Sequence, residues 1–316
     1  MTFTVSDTVR IILISWSLLP AVLSLTGNTI VLIVSRKYRA LKLDEYSVRL
    51  IENLAVADLG YTLSGILVTV VAIATNSWPY GKEMCVVDRF LTNVFHNMTP
   101  LIVALLCASK LSCLLSPFSA YTRPTSGVLV GMVSVWVLVT TSCLVSTIVY
   151  RSNVYYDNLS FQCWVDYTHR HYFGTILYQI ATVWLLVVAR RITGRIQKRG
   201  AAAIISVSVI YSIATVPTAV LMALELTKWY TTWSDEAQAI CKIVTMYTFY
   251  LTNFCNPIVY YFSVNSFKEF VNNRVFRRMP ETASEVRAGS RNNRTSTINT
   301  GANRSDTTTP LLGRKD

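Results

Sequence analysis

Seven apolar runs of bilayer-spanning length limit what this chain can fold into more than any other feature. They lie near residues 11–34, 48–75, 86–115, 127–149, 172–189, 201–226 and 239–262. A lipid core holds no water to satisfy backbone N–H and C=O groups, so runs of this length cross it as helices. The first is too long for the apolar core of a cleaved signal peptide, and no small-residue cleavage site follows it. Arg36, Lys37, Arg39 and Lys42 come directly after it. Basic residues stay on the cytoplasmic side, which places the N-terminus outside. Later connections alternate as that orientation requires. Those after even-numbered runs carry mixed charge (Lys82, Glu83, Asp88; Lys228, Asp235, Glu236), and those after odd-numbered runs are basic (Arg123; Arg190, Arg191, Arg195, Lys198, Arg199). The expected fold is an all-α membrane protein, a seven-transmembrane helix bundle with its C-terminus inside. No internal repeat of the transporter kind is present.

Composition removes the main alternatives. The chain is 52% hydrophobic and 15% charged, with a mean hydropathy of +0.40, too apolar for a soluble domain of this length. A net charge of +12 raises the question of nucleic acid, but the Lys and Arg sit between apolar runs and in the tail, as the cytoplasmic face of a membrane protein requires. The cysteines form no CxxC pair and mostly lie within apolar runs, so they read as packing residues, not metal ligands. Three segments follow: a short extracellular N-terminus at 1–9, the helical body at 10–276, and a polar cytoplasmic tail at 277–316. Within 265–276, Phe267, Phe270, Val271 and Phe276 alternate with Lys268 and Arg274, with Arg277 and Arg278 beyond, which predicts a short amphipathic helix lying on the membrane. The Ser/Thr/Asn/Arg-rich tail has almost nothing to bury and is expected to be disordered.

The last apolar run carries the most informative residues. Pro257 lies inside it, where it removes a backbone donor and frees the carbonyl of Asn253. In lipid that carbonyl needs a partner from a neighbouring helix, a polar side chain or water. Tyr250, Asn253, Asn256 and Tyr260 form one polar stripe at helical spacing, which should face protein. A packing kink with no signalling role would look the same. In the second run, Asp58 sits at mid-depth, where a carboxylate costs about 2.5–3.5 kcal/mol and so must face the bundle. Asn28 is the matching polar residue of the first run.

Asn256-Pro257-Ile258-Val259-Tyr260, with Gly27-Asn28-Thr29-Ile30-Val31 and Leu54-Ala55-Val56-Ala57-Asp58, resembles the motif set of the rhodopsin-like (class A) G protein-coupled receptors in order, span number and depth. The resemblance covers about residues 10–276. It implies an eighth helix along the membrane, although no cysteine follows for a palmitoyl anchor. It implies a sodium ion at Asp58, held with the hydroxyl of Thr99 and with Asn256, Thr252 offering a further oxygen; a purely structural polar network is the alternative. It implies a disulfide from the third helix to the following outer loop, which Cys85 and Cys163 fit, with Cys241 as a competitor. Asn158-Leu159-Ser160 in that loop is a glycosylation acceptor, whereas Asn97-Met98-Thr99 lies inside a span and should be unmodified. Trp136 matches the family's marker tryptophan and reads as a large packing residue.

The departures concern activation. Where the family has Asp-Arg-Tyr, this chain has Ser109-Lys110-Leu111, with Pro117 downstream. Lysine keeps the charge but not the planar five-donor fork of arginine. The inner end of the sixth span offers Gln197, Lys198 and Arg199 but no acid, so the family's inactive-state ion pair is absent. The sixth-span motif reads Ala214-Thr215-Val216-Pro217, which keeps the kink and loses the tryptophan, and the fifth span has no central proline. The residues left to act as the activation switch are Lys110, Pro217, Pro257 and Tyr260.

For the ligand, Thr92, His96 and Thr99 make a bundle-facing stripe on the third span. Amine receptors of the family carry an Asp where Thr92 stands, and opsins a retinal-binding Lys where Tyr250 stands, so both ligand types are disfavoured. Thr92, His96, Tyr247, Tyr250 and Glu225 are the pocket candidates for a peptide or small molecule, with plain packing as the alternative for each. The expected function is to pass an extracellular signal across the plasma membrane to a heterotrimeric G protein, with no cofactor beyond that sodium ion. Thr295-Ser296-Thr297 and Thr307-Thr308-Thr309 in the tail suit a receptor kinase and arrestin. Three rivals were weighed. A transporter or channel needs a continuous polar path or repeated broken helices. An intramembrane enzyme needs a second mid-span acid, HExxH or GxSxG, and none occurs. A receptor-like scaffold that binds ligand without G protein signalling differs only at Ser109-Lys110.

Overall fold

A computed structural model describes residues 6–37, 45–115, 125–158, 160–165, 199–226, 232–263 and 265–272. α1 is Asp7–Lys37. The second span is α2 (Glu45–Tyr61), a turn of π-helix (Thr62–Ile66) and α3 (Leu67–Thr75). α4 (Gly81–Leu115) is the third span and α5 (Thr125–Val149) the fourth. A hairpin of β1 (Val154–Asp157) and β2 (Gln162–Val165) follows, then α6 (Arg199–Leu226), α7 (Asp235–Ser263) and α8 (Asn265–Phe270). The expected fifth span at 172–189 lies outside the described residues, as do the basic segment 190–198, Pro117 and the tail with its Ser/Thr clusters. Residues 1–269 form one compact unit; of the second, 270–316, the end of α8 and the two residues after it are described.

Within the first unit α1 packs on α2, α3 and α7, α2 on α4, α4 on α5 and α6, and α6 on α7. The polarity is the reverse of a water-soluble protein. Ser17, Ser24, Asn28, Asp58, Thr62, Thr99, Asn253 and Asn256 are buried, while α5 exposes Leu129, Val130, Val133, Val137, Leu138 and Ile148. Such an outer surface is stable only against lipid. Among the described residues, the helical stretches Asp7–Arg36, Ser47–Thr75 and Leu129–Val149 are long and apolar enough to cross a membrane on length and composition alone.

Close backbone approach shapes two contacts. A Cβ on Gly27 would meet Pro257 Cγ at 2.8 Å, and one on Gly60 would run into the Phe95 ring. Glycine therefore lets α7 lie against α1, and α4 against α2. α3 ends at Asn76, whose φ of 51° is the left-handed cap that asparagine tolerates.

The first helix begins at Asp7, within the polar segment 1–9. Arg10 ties this first turn to the end of α3: its Nε donates to the carbonyl of Ile73 (3.1 Å) and its Nη2 to that of Ala74 (2.5 Å). Asp88, read with the loop charges, belongs to α4, and its Oδ1 is buried. The amphipathic segment expected at 265–276 is helical as α8, where Phe267 is buried and Lys268 and Glu269 are exposed.

Candidate functional site

Two polar centres occupy the bundle. The deeper one surrounds the Pro257 kink. Asn28 Nδ2 donates to the Asn253 carbonyl at 2.8 Å, so a side chain from a neighbouring helix supplies the donor that proline removed. The same amide reaches Ser24 O (3.1 Å) and Ser24 Oγ (3.2 Å). Thr62 donates its proton to the Asp58 carbonyl (2.7 Å), so the 2.7 Å bond between Ser24 and Thr62 runs from the serine. Asn256 Nδ2 donates to Asp58 Oδ2 at 2.8 Å, and Thr99 also hydrogen-bonds this carboxylate. Asp58 Oδ1 is buried with no partner among the described residues, as is the hydroxyl of Tyr260. The structure thus brings together Asn28, Asp58, Thr99 and Asn256 from four stretches of sequence. Thr252 is buried nearby, but its hydroxyl donates to its own helix, to Phe249 O at 2.7 Å. The stripe Tyr250, Asn253, Asn256 and Tyr260 faces protein throughout, none of the four more than 4% exposed.

The second centre lies at the hairpin end. The Cys85–Cys163 disulfide ties β2 to the start of α4, so the pairing is with Cys85 and not Cys241. β1 and β2 pair antiparallel with Val154 opposite Val165 and Tyr156 opposite Cys163. Phe161 has a φ of 57°, a strained value for an aromatic residue, and it is held there by burial against Leu13, Ala72 and Ile73. Asp157 Oδ2 accepts from Ser160 N (3.2 Å), Ser160 Oγ (2.6 Å) and Lys242 Nζ (2.9 Å). Both members of the Asp157–Lys242 pair are 7% exposed, so α7 grips the hairpin through a buried ion pair. Arg151 pairs with Glu83 at the surface. Burial pushes the Tyr156 phenol up to about 12, with the Asp157 charge adding to the shift, so this hairpin tyrosine stays neutral at any physiological pH. Asn158 is exposed beside the hairpin turn, and Asn97 is partly buried within α4.

Gln162 reaches inward from β2. Its Nε2 donates to Tyr250 OH (2.9 Å) and to Thr69 Oγ1 (3.1 Å). Tyr250 is fully buried and meets Tyr61, with ring centres 6.3 Å apart. His96 stacks on Phe249 at 4.1 Å, and Tyr61 lies 6.3 Å from His96 and 5.2 Å from Phe249. Thr92 is buried and its hydroxyl has no partner among the described residues. His96 and Tyr250 therefore share one aromatic enclosure with Tyr61 and Phe249, and Thr92 precedes His96 by one turn of α4. Tyr247 turns towards α1, donating to Leu13 O (2.7 Å) and meeting Ser17 Oγ (2.8 Å). Glu225 and Lys110 lie on described helices, but their side chains fall outside the described residues; Pro217 lies within α6. Trp136 packs edge-on to Phe95 at 6.3 Å and donates from Nε1 to Asn53 Oδ1 (3.0 Å), a structural place.

Sequence reasoning missed Tyr61, Phe249, Gln162, Trp164 and Arg89. For Tyr61 a signal existed, since it follows Asp58 by three residues and so shares its helix face. Gln162 and Trp164 stand next to Cys163 and alternate with it along the strand, which points them to the opposite face.

A sequence model of the 7 transmembrane receptor (rhodopsin family) matches residues 27–260. The match begins at Gly27, which packs on Pro257, and ends at Tyr260 of the same polar stripe. A gonadotropin-releasing hormone receptor of Octopus vulgaris is 32% identical over 117 residues. That stretch takes in 37% of this chain and 28% of that protein, so the chain spans well under a third of this relative's length.

Proposed function

The chain belongs to the rhodopsin family of seven-transmembrane receptors, multi-pass proteins of the plasma membrane built as a seven-helix bundle, and we propose that it carries an extracellular signal to a heterotrimeric G protein. The observation that carries this reading is the Asp58–Asn256 bond at 2.8 Å, which joins the second span to the kinked seventh beneath an aromatic enclosure. In this reading the hairpin end is extracellular and the Lys110 end cytoplasmic. A ligand between α4, α7 and β2 favours one packing of the helices over another and so shifts the population at the opposite end. The ligand is of hormone type, as the similarity to the octopus gonadotropin-releasing hormone receptor suggests.

A sodium ion fits the centre at Asp58. A buried carboxylate oxygen without a donor is a poor ground state for a neutral network and a good cation ligand. Asp58 and the Thr99 hydroxyl would hold the ion, with the Asn256 amide oxygen beside them. When bound, the ion would supply positive charge against the Asp58 carboxylate; Asn28 holds the Asn253 carbonyl that Pro257 frees.

The test is expression of the full chain with sensors for each G protein class and for arrestin, challenged with a hormone and peptide collection. Ligand-dependent dissociation of at least one heterotrimer is expected. Normal surface delivery with arrestin recruitment and no G protein response to any active ligand would replace the reading with a binding scaffold.

A further inference from the structure

Three buried polar atoms with no partner among the described residues lie within one turn of α4: Asp88 Oδ1, Arg89 Nε and Thr92 Oγ1. Buried polar groups are nearly always hydrogen-bonded, so three on a single turn call for a cause. Aromatic rings lie beside Arg89 and Thr92. The Arg89 guanidinium carbon sits 5.1 Å from the centre of the Trp164 ring, which β2 brings over it. Thr92 and Tyr61 both lie over Gly65, where a Cβ would touch the Tyr61 ring at 3.4 Å and Thr92 Cγ2 at 3.7 Å. Asp88 and Arg89 precede Thr92 by four and three residues, so both share its side of the helix. Lys242 also faces Trp164, at 5.7 Å, but its ammonium is already paired with Asp157. Among the described residues, one acceptor, one donor and one hydroxyl stand open beside an aromatic enclosure.

We propose that Asp88, Arg89 and Thr92 anchor a terminal carboxamide of the ligand, next to an aromatic group that enters the enclosure of Tyr61, His96 and Phe249. A carboxamide offers a carbonyl oxygen to the guanidinium and an NH2 to the carboxylate. A free carboxylate would satisfy Arg89 equally well, but it sets a second negative charge against Asp88 and leaves Oδ1 without a donor. A free ammonium fails at Arg89 for the mirror reason. Adjacent opposite charges therefore select a neutral group that both donates and accepts, and they reject either ion. The inference rests on the receptor reading above, in which the hairpin end faces the ligand, and it assigns that ligand a chemical class.

The test uses N-acetyl-phenylalaninamide and N-acetyl-phenylalanine, which differ only in the terminal group, with the purified full-length receptor. Each should raise the apparent melting temperature in proportion to occupancy. The amide should act at about tenfold lower concentration than the acid, given the cost of a like-charge contact. Arg89→Met should abolish both shifts. Asp88→Asn should reverse the order and favour the acid, a gain that a misfolded variant cannot imitate. No response to either probe would mean that water alone serves the three atoms and would overturn the anchor. So would equal responses, or an amide preference that survives Arg89→Met. None of these outcomes bears on the receptor reading, which is judged by G protein dissociation.

Discussion

Asn28 donates from Nδ2 to the backbone carbonyl of Asn253 at 2.8 Å, and that carbonyl is the one Pro257 leaves without a helical N–H. One asparagine on α1 thereby repairs the defect that a proline makes on α7. Gly27, next to it, lets Pro257 approach to within the space of a missing Cβ. The kink, its donor and its clearance are one device shared between two helices.

Asn28→Leu should therefore cost about 1–3 kcal/mol, because it leaves a buried carbonyl unpaired. Gly27→Ala should cost a similar amount by overpacking, since the added methyl meets Pro257 Cβ at 2.9 Å and Cγ at 2.8 Å. Thermal unfolding of the purified receptor checks both. A melting temperature unchanged by Asn28→Leu would show that water replaces the amide.

The hairpin offers a second measurement. Lys242 and Asp157 pair at 2.9 Å, both nearly excluded from solvent, and they connect α7 to β1 across the chain. Lys242→Met alone takes the cation from a buried carboxylate and should destabilise by about 3–5 kcal/mol. Asp157→Asn added to it should restore much of that loss, because no lone charge then remains buried. A double-mutant cycle on the melting temperature gives the coupling. Additive losses would show that the pair is solvated and contributes little.

Much of the deep centre was legible in the sequence, and for a physical reason. A proline names the carbonyl it frees, and an acid at mid-membrane depth must face the bundle. Asn28, Asp58 and Asn256 therefore pointed inward before any coordinates. The hairpin end was not legible in the same way. Asp157 and Lys242 are 85 residues apart, and nothing local says that a loop carboxylate will meet a helix ammonium. Asp88 read as one more loop charge because hydropathy places a span's edge only loosely, and a single turn decides whether an acid is wet or buried. Arg10 reaches the far end of α3, a contact between separate helices that nothing local announces.

Sodium dependence is the third expectation. Raising sodium chloride at constant ionic strength should raise the melting temperature of the wild-type receptor, by mass action on the form that holds the ion. N-methylglucamine chloride should not. Asp58→Asn should abolish the difference, because the amide it introduces cannot neutralise a cation. Identical sodium responses in the two forms would leave Asp58 as a structural carboxylate, held through Oδ2 by Asn256.

The last expectation concerns Ser109 and Lys110, near the far end of α4 from the hairpin. A receptor of this family is ordinarily held off by an arginine here, paired with a neighbouring acid. Ser109 supplies no charge, and Gln197, Lys198 and Arg199 before and at the start of α6 supply no acid. The inactive packing therefore lacks that restraint. A buried pair broken on one side costs about 3–5 kcal/mol, and one open to water is worth about 0–1. This end of the helix meets the cytoplasm in the proposed orientation, so the missing pair weighs near the low figure, enough for weak basal signalling and not for full activity. Lysine is also the poorer donor to a G protein, since it lacks the guanidinium fork. Lys110→Arg should therefore raise basal G protein dissociation, and Ser109→Asp added to it should lower it again by restoring the pair. Measured at equal surface levels, a rise followed by a fall supports this account; silence in all three forms sinks it and favours a receptor that binds without coupling.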